Sequence, residues 1–151
     1  GLVPFGKIVP LSGESPTLTY NTIGRHQSQL ALTKICTNKS PWLMHCKVGE
    51  IYNIPISHGE GRFVASDEVI AKLIENGQIA TQYVDLNGEP TMELAYNPNS
   101  SMCAIEGIIS PDGRVLGKMG HTERISTDTC VNVDGNKEQL LFKGGVDYFR
   151  L

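Results

Sequence analysis

Short apolar runs alternate with Gly, Pro and Asn punctuation along the whole chain, and most of these runs read as strands. Residues 29–36, Gln-Leu-Ala-Leu-Thr-Lys-Ile-Cys, alternate in part and predict a strand. Asn38-Lys39-Ser40-Pro41 predicts a turn, with Pro41 opening a short helical turn through Leu43. Residues 50–57 are β-rich and end at Gly59 and Gly61. Ser66-Asp67-Glu68 then has the form of a helix start: a capping hydroxyl followed by acids in the first turn. Val69, Ile70, Leu73 and Ile74 supply that helix with an apolar face, and Asn76-Gly77 stop it.

Beyond this helix, residues 79–85 predict a strand and Asn87-Gly88 a tight turn. Residues 97–101, Asn-Pro-Asn-Ser-Ser, predict a loop. Residues 103–109, the turn Ser110-Pro111-Asp112-Gly113 and residues 114–119 together predict a hairpin that delivers His121 to the end of a strand. A closing helix is expected over 137–149, with Leu140, Leu141, Val146 and Phe149 on one side and Gly144-Gly145 working against it. Residues 2–6 read as the tail of a preceding element. Residues 10–20, polar and containing two prolines, read as loop. No internal repeat or internal boundary interrupts residues 1–151, which suit one domain.

Composition narrows the class. A hydrophobic fraction of 40% and a charged fraction of 19% belong to a globular chain. The net charge of −3 and the scattered Lys and Arg give nucleic-acid binding little electrostatic support. No apolar stretch approaches the roughly 20 residues that span a bilayer, and nothing resembles a secretory signal, so a cytoplasmic location without membrane contact is the expectation. Cys36, Cys46, Cys103 and Cys130 lack CxxC spacing and predict reduced thiols. Their spacing from His45, His58 and His121 matches no standard zinc arrangement, so no metal is expected. The chain opens on Gly1, which suits removal of an initiator Met and suits a cut from a longer polypeptide equally.

Two segments carry candidate chemistry. In Lys118-Met119-Gly120-His121-Thr122-Glu123-Arg124 a histidine and a carboxylate stand two residues apart after a strand. A histidine acting as general base needs one ring nitrogen free and the other donating to an acceptor that fixes the tautomer. A carboxylate at i+2 reaches the same side if the backbone stays extended. A surface His and Glu, with Glu123 paired to Arg124 or Lys118, would leave the same short pattern. In Pro55-Ile56-Ser57-His58-Gly59-Glu60-Gly61-Arg62, glycines flank a carboxylate and let a small polar ligand approach the main chain. A strand-to-loop junction with solvated Glu60 and Arg62 would look alike.

Taken as an ordered set, residues 56–63, 97–101 and 117–124, with the Pro41-Trp42-Leu43 turn, residues 17–25 and the tail from Asn136-Lys137-Glu138-Gln139 through Tyr148-Phe149, resemble the class I glutamine amidotransferase domains of phosphoribosylformylglycinamidine synthases. The resemblance covers essentially the whole chain. It implies an α/β, partial flavodoxin-like fold with a hairpin-rich C-terminal half. It implies a cysteine nucleophile completed by the His and Glu of a motif usually written H-P-E-R. His121 and Glu123 stand at those positions, with Thr122 and Gly120 where many members have Pro. Glutamine would be the substrate, with the segment around His58, Gly59 and Glu60 bordering its pocket. The ammonia would pass to a synthetase domain, where ATP and magnesium belong; the amidotransferase portion itself would carry no cofactor. The imidazole of His58 is assigned no role, and Asn97 and Asn99 are read equally as turn formers and as residues facing the pocket or the synthetase.

The family's nucleophile lies in a glycine-flanked turn upstream of everything matched, and none of the four cysteines has such neighbours. The expectation is a C-terminal portion of the domain, inactive alone, that either self-associates through a strand edge left by half a parallel sheet or retains the missing piece as a separate polypeptide. Two other readings stand beside it: a docking module with a vestigial His-x-Glu, and a related Cys-His-Glu hydrolase.

Overall fold

The computed structural model describes residues 15–150; the readings at residues 2–6 and the first part of 10–20 lie outside this range. Its elements, in chain order, are β1 (Thr17–Thr19), β2 (Gln27–Ile35), β3 (Ile51–His58), β4 (Arg62–Val64), α1 (Asp67–Glu75), β5 (Ile79–Tyr83), β6 (Ile105–Ile109), β7 (Leu116–Lys118) and α2 (Leu141–Phe149). Short 3-10 turns cover Pro41–Leu43, Met102–Ala104 and Thr122–Arg124. A five-stranded sheet runs β3-β2-β5-β6-β7, and β1 pairs with β4 in a separate ribbon. The strand at 17–19 departs from the loop expected there. Leu18 stands opposite Phe63, and Phe63 is buried, so pairing with β4 organises a short polar stretch that has no strand signal of its own.

Helices and sheet are mixed, as an α/β class requires. All ladders among the described strands are antiparallel, so the edge expected from half a parallel sheet is here an antiparallel one. On the β3 side loops cover it. The Asn53 N–H donates to the carbonyl of Asn136 at 2.7 Å, and the His121 N–H donates to that of Pro55 at 2.8 Å. Pro55 has no N–H to leave unpaired, which is what an edge strand tolerates.

β3 shows how period two places the site. Tyr52, Ile54, Ile56 and His58 all fall on its buried face, while Ile51, Asn53, Pro55 and Ser57 are part-exposed. One core cluster gathers Ile35, Leu43, Tyr52, Ile54, Ala80, Ile109 and Leu141; a second joins Leu73 of α1 to Phe63, Ile105 and Ile108.

α1 follows its sequence signals. The Ser66 hydroxyl accepts the Val69 N–H at 3.4 Å, Asp67 and Glu68 occupy the first turn, and Gly77 takes φ +62° beyond the C-terminus. Ile70 and Leu73 are buried and Ile74 is exposed, so the buried stripe is narrower than expected. Replacing Ser66 by alanine should lower unfolding stability by about 1 kcal/mol, measured by urea titration.

α2 departs from expectation in both start and face. It begins at Leu141, and its buried residues are Leu141, Gly144 and Gly145, while Val146 and Phe149 are exposed. The glycines that argued against a helix are what dock it. A Cβ on Gly144 would lie 2.7 Å from the Pro41 carbonyl oxygen and 2.9 Å from that of Trp42, and one on Gly145 would overlap the Trp42 ring. The backbone of α2 therefore rests directly on the 3-10 turn. Trp42 is held in place by donating its indole N–H to the Arg114 carbonyl at 2.9 Å.

Candidate active site

The hairpin turn is built by Ser110, Asp112 and Gly113. Ser110 Oγ bonds Asp112 Oδ1 at 2.5 Å, the Arg114 N–H donates to the same oxygen at 3.1 Å, and Gly113 takes φ +73°. β7 then returns beside β6 with Lys118 opposite Gly107. Three residues later the chain bends at His121 (φ −99°, ψ 80°), which opens the 3-10 turn Thr122–Arg124.

His121 Nδ1 lies 2.6 Å from Glu123 Oε1. The contact matches the sequence reading, but its cause is different. The two side chains meet across the first turn of a 3-10 helix, not along an extended strand. An ionised carboxylate only accepts, so Nδ1 carries the proton and Nε2 is left as the basic nitrogen. Burial opposes charge on Glu123, but its backbone amide, the His121 hydrogen bond and the nearby His121 and Arg124 charges outweigh that and hold its carboxyl below the usual range. The His121 side chain is part-exposed and that of Glu123 is exposed. They border a cleft of about 480 Å³ whose walls include Trp42, Leu116, Met119, Gly120, Leu141 and Phe142, a size suited to a small metabolite.

Beneath this loop lies a carboxylate that the sequence reading passed over. Glu106 is the second residue of β6, whose five residues are all buried, and its side chain has no exposed surface. It bonds Thr81 Oγ1, the Gly120 N–H at 2.5 Å and, at 3.5 Å, Lys118 Nζ. A lone Glu inside Ile105-Glu106-Gly107-Ile108-Ile109 was the available signal, because an unpaired charge in so apolar a strand is not stable.

The second segment is held by side chains from two other loops. Asn21 Nδ2 donates to the His58 carbonyl at 2.8 Å, and its Oδ1 accepts the Gly61 N–H at 3.3 Å. Asn99 Nδ2 donates to the Gly61 carbonyl at 2.7 Å and bonds the Tyr83 hydroxyl at 3.2 Å, and Ser101 N–H donates to Asn99 Oδ1 at 3.1 Å. Asn97 and Asn99 are fully buried. Asn97 closes its own loop by accepting the Ser101 N–H at 3.0 Å, so both act here as loop builders. Asn21 is another residue missed in the sequence, where nothing distinguishes it from an ordinary loop Asn. Replacing Asn99 by alanine should destabilise the fold by about 2 kcal/mol in thermal denaturation, because the buried Gly61 carbonyl, Tyr83 hydroxyl and Ser101 N–H each lose a hydrogen bond.

His58 is buried against Gly61, where any Cβ would overlap its ring, and neither ring nitrogen has a partner among the described residues. Burial pushes its pKa down against the opposing pull of its own backbone, with the His26 and His121 charges adding and the Glu106 charge opposing. The folded state thus resists protonating His58 while the unfolded chain accepts a proton near pH 6.5. Stability contributed by its neutral form is present above about pH 6.5 and is lost as pH falls through the lower folded value. A His58→Phe variant should lose that part of the acid slope in unfolding measured from pH 7 to 5. An unchanged slope would show that the other titrating groups account for it. Gly59 and Glu60 lie beside His58, with the Gly59 carbonyl accepting the Asn21 N–H at 2.8 Å and Glu60 exposed.

Among the described residues no thiol is bonded to His121, whose ring partner is Glu123. Burial raises the Cys36 thiol to about 11, with the Glu106 charge adding and Lys34 opposing; burial likewise raises Cys46. Both disfavour the thiolate a nucleophile needs. No group of three or more His, Cys, Asp or Glu capable of holding a metal gathers among the described residues.

The sequence model of CobB/CobQ-like glutamine amidotransferase domains matches residues 1–149. The phosphoribosylformylglycinamidine synthase subunit PurQ of Methanocaldococcus jannaschii is 36% identical over 132 residues, 87% of this chain and 55% of that protein. The subunit of the same name from Chlorobium chlorochromatii is 47% identical over 95 residues, 63% of this chain and 38% of that protein. A chain in the structure of PurLQS from Thermotoga maritima superposes with a TM-score of 0.69 at 25% identity, covering 99% of this chain and 57% of that one. The chain thus spans about half the length of the curated relatives it matches.

Proposed function

The chain belongs to the CobB/CobQ-like glutamine amidotransferase domain family, and from that premise we propose that it forms the histidine-bearing part of the glutaminase of a phosphoribosylformylglycinamidine synthase. The observation that supports this most directly is the 2.6 Å contact between His121 Nδ1 and Glu123 Oε1 beside a small-molecule cleft.

His121 Nε2 takes the proton of a cysteine thiol, and the thiolate attacks the side-chain carboxamide carbon of glutamine. Glu123 holds the tautomer and stabilises the imidazolium that results. The imidazolium returns its proton to the departing nitrogen, the carbon–nitrogen bond breaks, and ammonia leaves a glutamyl thioester. A water deprotonated by the same Nε2 then attacks the thioester, releasing glutamate and restoring the thiol. The nucleophile is a cysteine outside these 151 residues, because the four present lack a glycine-flanked turn and the raised pKa values of Cys36 and Cys46 oppose ionisation. His58, Gly59 and Glu60 border the glutamine. The ammonia replaces an amide oxygen of formylglycinamide ribonucleotide at a synthetase partner, which binds ATP and magnesium; this domain needs no cofactor of its own.

Joining the chain to an upstream segment that carries a glycine-flanked cysteine and assaying glutamate release tests the reading. Turnover that requires that cysteine is the expected result. An inactive fusion that still binds the synthetase would instead favour a docking module.

A further inference from the structure

We propose that Glu106 is a positioning residue for His121, acting through the Gly120 peptide. This inference rests on the reading of His121 as the general base.

Two consecutive amides fix the backbone leading into the imidazole. The Gly120 N–H donates to Glu106 Oε1 at 2.5 Å, and the His121 N–H donates to the Pro55 carbonyl at 2.8 Å. One anchor is a buried carboxylate on β6 and the other is the edge of β3, so the loop is tied to two strands at once. A charged acceptor makes the first anchor stronger than a neutral one would be. The second carboxylate oxygen is engaged by Thr81, which fixes the plane of the group.

Gly120 is what lets this anchor form. A Cβ there would meet Ile54 Cγ2 at 2.7 Å, Glu106 Oε1 at 3.0 Å and Lys118 Nζ at 3.1 Å. Glu106, Lys118 and Ile54 therefore close directly beneath the backbone in the space a side chain would need. Lys118 supplies the balancing charge, 3.5 Å from Glu106 Oε1 and with its side chain largely buried. Its ammonium also reaches Gln139 Oε1 at 3.2 Å and Thr122 Oγ1 at 3.4 Å, and Thr122 Oγ1 donates to Gln139 Oε1 at 2.9 Å. The network therefore holds the residue before His121 and the residue after it. With both neighbours fixed, the imidazole has one orientation in which Nδ1 meets Glu123.

A merely structural Glu106 would stabilise the hairpin without affecting the ring, so the test reads the ring. Nitrogen-15 NMR of histidine-labelled chain, with His121 assigned by its loss in His121→Asn, reports which ring nitrogen carries the proton. Lys118→Met serves as background, so that no ammonium is left buried without its partner. In that background Glu106→Gln keeps an acceptor for the Gly120 N–H, and Glu106→Met removes it. The Gln variant should retain the Nδ1–H tautomer of the unmodified chain, and the Met variant should show a mixture of both tautomers. Equal tautomer populations in the two variants would overturn the proposal. A second measurement needs no substitution: the Gly120 amide proton of the unmodified chain should resonate far downfield and exchange slowly with deuterium. An ordinary shift with rapid exchange would overturn the proposal even if the Met variant fails to fold. These readouts do not depend on turnover, so they can fail while the glutaminase reading stands, and the reverse.

Discussion

Replacing His121 by alanine in the complete enzyme should lower glutamine-dependent turnover by about 10⁴-fold or more, because a nucleophile and its base act as a unit and the loss of either removes most of the rate. Synthesis driven by added ammonia should be unaffected, since under the proposed mechanism the histidine acts only in releasing ammonia from glutamine. The comparison of the two nitrogen sources is the measurement that matters. An equal loss with both would mean that the substitution disturbs the synthetase or the fold, and retention of glutamine-dependent turnover would remove His121 from the mechanism. Glu123→Gln should cost less, about 10²-fold, because the carboxylate is half-exposed and water can take part of its place in orienting the ring. With no glycine-flanked cysteine to serve as nucleophile, the chain by itself should release no glutamate from glutamine.

Replacing Gly144 by valine should undock α2. The added Cβ would press on the carbonyl oxygens of Pro41 and Trp42, which are backbone atoms and cannot swing aside as a flexible side chain could. Overpacking of this kind costs about 3 kcal/mol. Leu141, the α2 residue in the core cluster, would lose its seat with the helix. Trp42 is the only tryptophan in the chain, so its fluorescence reports the event without a label. A red-shifted emission and a lowered melting temperature are expected, whereas Gly59→Ala, where a Cβ would meet nothing nearer than the His26 Cα at 4.0 Å, should leave the Trp42 emission unchanged. An unaltered Trp42 emission in Gly144→Val would mean that α2 does not rest on this turn through its glycines. Leu141 and Phe142 also wall the cleft beside His121, so the same variant should weaken ligand binding there.

Local features were readable wherever one residue type forces one backbone conformation. Ser66 caps α1, Gly77 ends it, and Gly113 closes the hairpin, each in the position the sequence indicates. The pairing of His121 with Glu123 was readable as a spacing, although a 3-10 turn, and not an extended strand, makes the contact. Residues whose meaning depends on a distant partner were not readable. Gly144 and Gly145 count against a helix by propensity, yet close approach to Trp42 outweighs that cost. Thr17 to Thr19 become a strand only because β4 lies beside them.

The linear order of residues therefore determined the family, because a family is read from the order of its motifs, and it determined the hairpin that carries the histidine and the acid beside it, because these depend on residues within a few positions of one another. Tertiary structure alone decided that Glu106 lies under Gly120, that Asn21 and Asn99 clasp the loop after His58, and that two glycines seat a helix on a tryptophan. Those contacts join segments 14 to more than 100 residues apart. Their worth comes from burial, which makes an unpartnered polar group costly and leaves no room for a misplaced methyl group.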